Sequence, residues 1–350
     1  RRSNAFETVA EECRAVREAV GLTEASNFAK YRVNGPGTAE WLQGLFTNKL
    51  PAIGRINLSA MLNPQGKIVG EFSVARVGDD DFFIFGSQAA EVHHSRWFLD
   101  HLPEDSPIRF EVLALSMVGL SVAGPHARDV LQQLTRTSLA TEDFRFMDFK
   151  RMDIGMFPAW VGRMTYTGDL GYEIWVAPEY QRALFDLLWE TGQQYGMKLF
   201  GFRALMAMRM EKMFGTWFRE YRPIYTPLEA GMDRYLKFDH DFIGREAVEA
   251  EKAAGGPKRR MVYLEVDPDP DEPADVIGDE PIWHGDEVVG WVTSGAYAHY
   301  SGVSLALGYV PAGLAEPGTE GFEVEIIGHR RPARLLTEPA LDPTGERMRA

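Results

Sequence analysis

Along residues 5–19 (AFETVAEECRAVREA) apolar side chains return every three or four positions, the period of a helix with one buried stripe. Alternation then takes over in KYRVNGPG at 30–37, a strand closed by a Gly-Pro-Gly turn, and a helix is expected at 38–47 with Trp41, Leu42, Leu45 and Phe46 on one side. Strands are expected at 56–62, 67–77 and 81–86, followed by a helix near 88–103. A second round follows, with a strand at 117–123, a Gly-Pro-opened helix at 124–134, a strand at 156–165 and a long helix at 178–196. The stretch 200–220 (FGFRALMAMRMEKMFGTWFRE) reads as a helix with an aromatic exit. Beyond AAGGPKRR at 253–260 the helical period fades, and 261–337 breaks into short strands with turn residues between them, as in a small β-barrel or sandwich.

The unit strand, Gly-Pro, helix occurs twice, as VNGPGTAEWLQGL at 33–45 and VAGPHARDVLQQL at 122–134. It suggests two related α+β halves, the alternative being two unrelated turns of similar chemistry. The expected class is α+β: a body over 1–252, broken near 110–117, and an all-β domain over 258–340.

A chain of 350 residues exceeds one ordinary core, consistent with that division. With 37 Lys+Arg against 51 Asp+Glu the formal net charge is −14, a field that repels phosphate backbones and anionic membranes but leaves room for a local basic pocket. Nucleic acid and membrane are therefore not expected partners. One cysteine, Cys13, excludes intrachain disulfides and suits a reducing compartment or simple indifference to redox; a cytoplasmic location is expected. No signal peptide is expected at the start, and the weakly polar run 113–124 is shorter than the roughly 20 residues of a spanning helix. No GxGxxG, GxxxxGK[ST] or GxSxG is present. DPDPDEPAD at 267–275 has the charge of a calcium loop, but its prolines and missing glycine make it a solvated acidic loop. The adjacent pair His93-His94 points two ways from a helix, so no metal site is expected there.

Three stretches carry chemistry. In MLNPQGKIVGEFSVAR (61–76), Glu71 interrupts an apolar strand; strict alternation puts Val69, Glu71 and Ser73 on one face, toward solvent or toward a cavity. In MTYTGDLGYEIW (164–175) a glycine-rich tight turn separates Tyr166 from Glu173, either as a plain hairpin or as backbone thinned for a flat ligand. In 200–220, the methionines 206, 208, 210 and 213 suit a core, and Arg209 with Glu211 suits a surface pair.

Taken together these stretches resemble the aminomethyltransferase superfamily, which includes the glycine cleavage T-protein and the folate domains of dimethylglycine and sarcosine dehydrogenases. The resemblance also rests on FETVAEECRAVREAVGL, VAGPHARDVL, RMEKMFGTWFREYRPIYTPLEAGMD, KFDHDFIGREA and SGAYAHYSGVSLALGYVPAG. It implies a two-halved body with a C-terminal barrel and a central folate channel. Glu71 then matches the acid beside the reactive nitrogens of tetrahydrofolate, where most relatives carry aspartate. Ser73 matches a hydroxyl beside the pterin, Tyr166 and Glu173 the pterin-binding pair, and Arg209 an arginine of the channel. Ala75 replaces an aromatic found in T-proteins. The implied activity is one-carbon transfer from an N-methylated amine or other small methyl donor to tetrahydrofolate, with a flavin-dependent dehydrogenase domain or subunit as partner. A flavin-independent demethylase and a non-catalytic folate-binding module are the alternatives.

Overall fold

The computed structural model describes residues 2–269, 271 and 273–350; Pro270 and Glu272 of the acidic stretch lie outside them. The opening helix α1 (Phe6–Glu18) buries Val9, Cys13 and Val16, and leads into β1 (Gly21–Glu24). The first round runs β2 (Ala29–Asn34), α2 (Thr38–Leu45), β3 (Arg55–Leu62), β4 (Ile68–Gly78), β5 (Asp81–Gly86), α3 (Glu91–Asp100) and β6 (Arg109–Val112). The second runs β7 (Val118–Ala123), α4 (Ala127–Gln132), β8 (Phe149–Ile154), β9 (Phe157–Gly162), β10 (Gly171–Val176), α5 (Gln181–Gly192) and β11 (Lys198–Leu199).

Each round opens with the same device. Gly35 and Gly124 take φ of 115° and 129°, and a β-carbon there would lie 2.4 Å from the Pro107 carbonyl oxygen and 2.6 Å from that of Ala19. Only glycine lets the strand turn tightly into its helix at both places. The sheets match as well, in orders β3-β4-β5-β2-β6 and β8-β9-β10-β7-β1-β11. The slot beside β2 is filled by β6, whereas the slot beside β7 is filled by β1 from the start of the chain, with β11 outside it. Helices cover one face of each sheet, giving a core of Leu42, Phe72, Val74 and Phe98 in the first and of Val122, Leu131, Ile174 and Leu188 in the second. The sheets join at their edges: Ile56 N–H donates to Met147 O and Phe149 N–H to Gly54 O, both at 2.8 Å.

After the second round, α6 (Phe202–Glu211) ends well short of residue 220. Met213 adopts φ 58° and Gly215 packs under the Tyr221 ring, so the aromatic exit is irregular backbone and not helix. An irregular segment then reaches α7 (Arg245–Ala253). The C-terminal region closes into a barrel of order β12 (Arg259–Val266), β15 (Val303–Pro311), β14 (Glu287–Ala298), β13 (Pro281–His284), β16 (Phe322–Ile326), β17 (His329–Leu336). A short α8 (Glu346–Arg349) folds back so that Arg347 meets Asp169. Among the described residues no helix is long and apolar enough to cross a membrane.

Candidate functional site

The faces of the two sheets that helices leave bare turn toward each other. On β4, Phe72 and Val74 belong to the helix-side core, so Glu71, Ser73 and Ala75 project inward. On β10, Tyr172, Ile174 and Val176 belong to the opposite helix-side core, so Glu173 and Trp175 project inward too. The inner faces meet where Ala75, Ile56, Phe83 and Phe85 pack on Phe149 and Trp175. Phe85, the cross-strand partner of Ser73, lies 4.8 Å from Trp175 between ring centroids. Glu71 and Glu173 each sit two residues from that contact, on strands of opposite sheets. Glu71 and Ser73 thus lie on the inner face of the first sheet and Glu173 on the inner face of the second, on either side of the Phe85–Trp175 contact.

Strict alternation misplaces Val69. It packs with Phe72 and Val74 on the helix side, because the pairing of β3 with β4 skips it: Met61 faces Gly70 and Leu62 faces Ile68. This bulge turns Val69 and Gly70 to the same side and Glu71 inward.

Glu71 and Glu173 are half-buried, and among the described residues neither carboxylate has a hydrogen-bond or ion-pair partner. Burial alone pushes both up to about 7 from an ordinary 4.5. Two acceptors held in low dielectric without donors suit a ligand that brings N–H groups of its own. Glu173 stands in a cross-strand row with Ser121 and Gly162. The phenols of Tyr166, Tyr221 and Tyr235 all feel the charge of Glu71, and burial raises each above its usual range.

Tyr166 lies in the eight-residue connection 163–170 between β9 and β10, which replaces the expected tight turn, and Glu173 is inside β10. Its ring stacks on Phe214 at 5.9 Å, and its hydroxyl donates to Gly215 O. Gly168 of this connection and Gly171 at the start of β10 are closely packed by the protein itself. A β-carbon at Gly168 would lie 2.3 Å from the Lys212 stem, and one at Gly171 2.1 Å from Thr165.

Arg209 is only 1% exposed, and its guanidinium is taken up by Glu220 (3.1 Å), Ser294 Oγ (2.7 Å) and Phe214 O (2.7 Å). Glu211, expected as its surface partner, is instead buried against Arg17 at 2.6 Å. Arg209 thus ties α6, the aromatic exit and β14 together. Tyr221 and Tyr235 were missed from the sequence because 212–243 has no period from which to read direction.

Two family matches cover nearly the whole chain: the GCVT N-terminal domain over residues 1–240 and the glycine cleavage T-protein C-terminal barrel domain over 259–342. Human mitochondrial dimethylglycine dehydrogenase is 36% identical over 353 residues, covering 99% of this chain and 40% of its own length. An aminomethyltransferase of Synechocystis is 33% identical over 334 residues, covering 92% of this chain and 86% of its own. Mouse pyruvate dehydrogenase phosphatase regulatory subunit is 31% identical, covering 95% and 40% respectively. The chain thus spans about two fifths of the dehydrogenases it matches. In fold it is similar to the glycine cleavage system aminomethyltransferase T of Bartonella henselae, with a TM-score of 0.84 at 22% identity over 96% of this chain and 90% of that one. With two linked α+β halves, a closed terminal barrel and both domain matches in order, the chain belongs to the glycine cleavage T-protein (aminomethyltransferase) family.

Proposed function

We propose that this chain transfers a one-carbon unit, methyl or methylene, from an N-methylated amine or another small methyl donor to tetrahydrofolate. The observation that carries the reading is the pair of partnerless inward carboxylates, Glu71 and Glu173, raised to about 7 on facing sheets. A reduced pterin fits them: it is flat enough for an aromatic-walled space and offers N–H donors along one edge. In this reading Glu173 accepts from that edge, the Tyr166 ring and Ser73 line the space, and Glu71 faces the reacting nitrogens. Tetrahydrofolate, when bound, supplies the nitrogens that accept the carbon. The protein supplies orientation and a dry surrounding, and Glu71, half-protonated near neutrality, exchanges a proton at its carboxylate. Arg209, whose two terminal nitrogens are taken up by Phe214 O, Glu220 and Ser294, acts on this site by holding the aromatic exit in place.

Likeness to dimethylglycine dehydrogenase over 99% of the chain favours a flavin-dependent dehydrogenase, as further domain or subunit, for supplying the oxidised methylamine. Titration calorimetry with tetrahydrofolate tests the binding half: micromolar affinity in the parent, lost in Glu173→Ala, is expected, and absence of binding in the folded parent overturns it. Product analysis with methylated amines, with and without a flavoprotein dehydrogenase, tests the transfer half. Likeness to a protein named as a phosphatase regulatory subunit favours a second, non-catalytic reading. It requires folate binding without turnover under every one of those conditions.

A further inference from the structure

Val69 is the extra residue of the β4 bulge, and its carbonyl accepts from Trp217 Nε1 at 2.8 Å and from His94 Nε2 at 3.1 Å. Both donors come from outside the sheet: His94 from α3 and Trp217 from the aromatic exit of α6. The His94 ring is fully buried against Phe72 and Trp217, with centroids at 4.7 and 5.1 Å. A carbonyl only accepts, so Nε2 carries the proton; burial holds the ring neutral by lowering its pKa to about 3.

The bulge decides where Glu71 points. Ile68 packs inward with Ala60 and Leu62. Strict alternation from Ile68 would send Gly70 inward and Glu71 out into the helix-side core. Instead Val69 and Gly70 both turn to the helix side, where a β-carbon on Gly70 would lie 2.5 Å from Phe72 and 2.8 Å from His94 Nε2. Glu71 follows on the inner face.

We infer that Trp217 and His94 are positioning residues for Glu71: by jointly holding the Val69 carbonyl they fix the bulge that aims the carboxylate into the inter-sheet space. The inference rests on the reading of Glu71 as the acid at the reacting centre. The same aromatic exit accepts the Tyr166 hydroxyl at Gly215 O, so Trp217 links the wall of the site to its acid.

The test follows the titration of Glu71 in ligand-free protein by carboxyl-¹³C glutamate NMR, with the resonance assigned by its loss in Glu71→Gln. The ionisable groups facing Glu71 are Tyr166, Tyr221 and Tyr235, none of which titrates near neutrality. Trp217→Phe and His94→Leu, which keep the apolar volume and drop the donor, are expected to move the Glu71 midpoint down from about 7 by roughly one unit or more as the side chain gains water. The Glu173 midpoint stays where it was. His94→Gln, which keeps a donor of similar reach, retains the parental midpoint. An unchanged Glu71 midpoint in both donor-less variants, or an equal shift of Glu173, overturns the inference. If Trp217→Phe fails to fold, the His94→Leu and His94→Gln pair decides it. Because no ligand is used, this result stands apart from whether tetrahydrofolate binds.

Discussion

The hydroxyl of Tyr166 donates to the carbonyl of Gly215 while its ring lies on Phe214, so this side chain bonds across to the aromatic exit and offers the site only its face and edge. Tyr166→Phe should therefore lower stability by about 1 kcal/mol, the worth of one neutral hydrogen bond, with little change in tetrahydrofolate affinity. Tyr166→Ala removes the wall and should weaken binding by about tenfold or more. Urea unfolding and calorimetric titration read the two effects separately.

Ligand affinity should depend on pH through Glu173. In the free protein this carboxyl is half-protonated near 7, whereas N–H donors from a ligand require it ionised. Affinity for tetrahydrofolate is expected to rise by nearly tenfold per unit from pH 5.5 to 7 and then level off. Glu173→Gln should flatten that profile. A parental profile unchanged in Glu173→Gln would remove the residue from its assigned contact.

Glu71 should matter to turnover more than to binding. Glu71→Gln keeps the shape and is expected to cost about 100-fold or more in kcat with a modest change in KM, the size of a lost proton-transfer group. Glu71→Asp shortens the reach by about 1 Å while keeping the charge, and should retain measurable transfer. Steady-state kinetics with the best methyl donor found provides the comparison.

The ligand-free protein should become less stable as pH rises. Glu71 and Glu173 hold their protons to about 7 when folded, against 4.5 when unfolded, so the folded state binds more protons in between. Their contribution to stability is complete below 4.5 and lost as pH climbs through about 7. The urea midpoint difference between parent and the double variant Glu71→Gln/Glu173→Gln, measured from pH 5 to 8, should grow in favour of the variant toward pH 8.

Arg17 is fully buried between Asp169 and Glu211, and Asp169 is also held by Arg347 at 2.5 Å. Arg17→Met removes the cation shared by two buried carboxylates, leaving Asp169 to Arg347 and Glu211 to Ser301, and a loss of about 3 kcal/mol is expected on urea unfolding. Asp169 lies in the connection that carries Tyr166, so tetrahydrofolate binding should weaken along with stability.

The elements that read well from sequence are those with a strong period or a distinctive turn. The amphipathic α1, both Gly-Pro helix entries and five barrel strands lie where 3.6- or 2-residue patterning places them. β8 (FKRMDI) and β13 (PIWH) were not legible, since basic residues dilute one and the other has four residues and a leading proline. β1, β6 and β11 were too short to stand out, with four, four and two residues. Glu71 was recognisable as an acid in an apolar strand, yet its direction depends on the Val69 bulge, which only contacts with His94 and Trp217 define. Arg209 was legible as a cation near the site, but its engagement by Glu220 and Ser294 arises from 11 and 85 residues away in sequence.

Because β1 is an interior strand of the second sheet, between β7 and β11, the chain's two repeats are not separable modules. During synthesis β1 emerges early and must wait for β7 before it can pair, so the later repeat finishes only by recruiting the earliest-made strand. Cutting between 112 and 118 would leave the first sheet all its strands and rob the second of an interior one. A shortened amino terminus should likewise damage the remote repeat and spare the adjacent one.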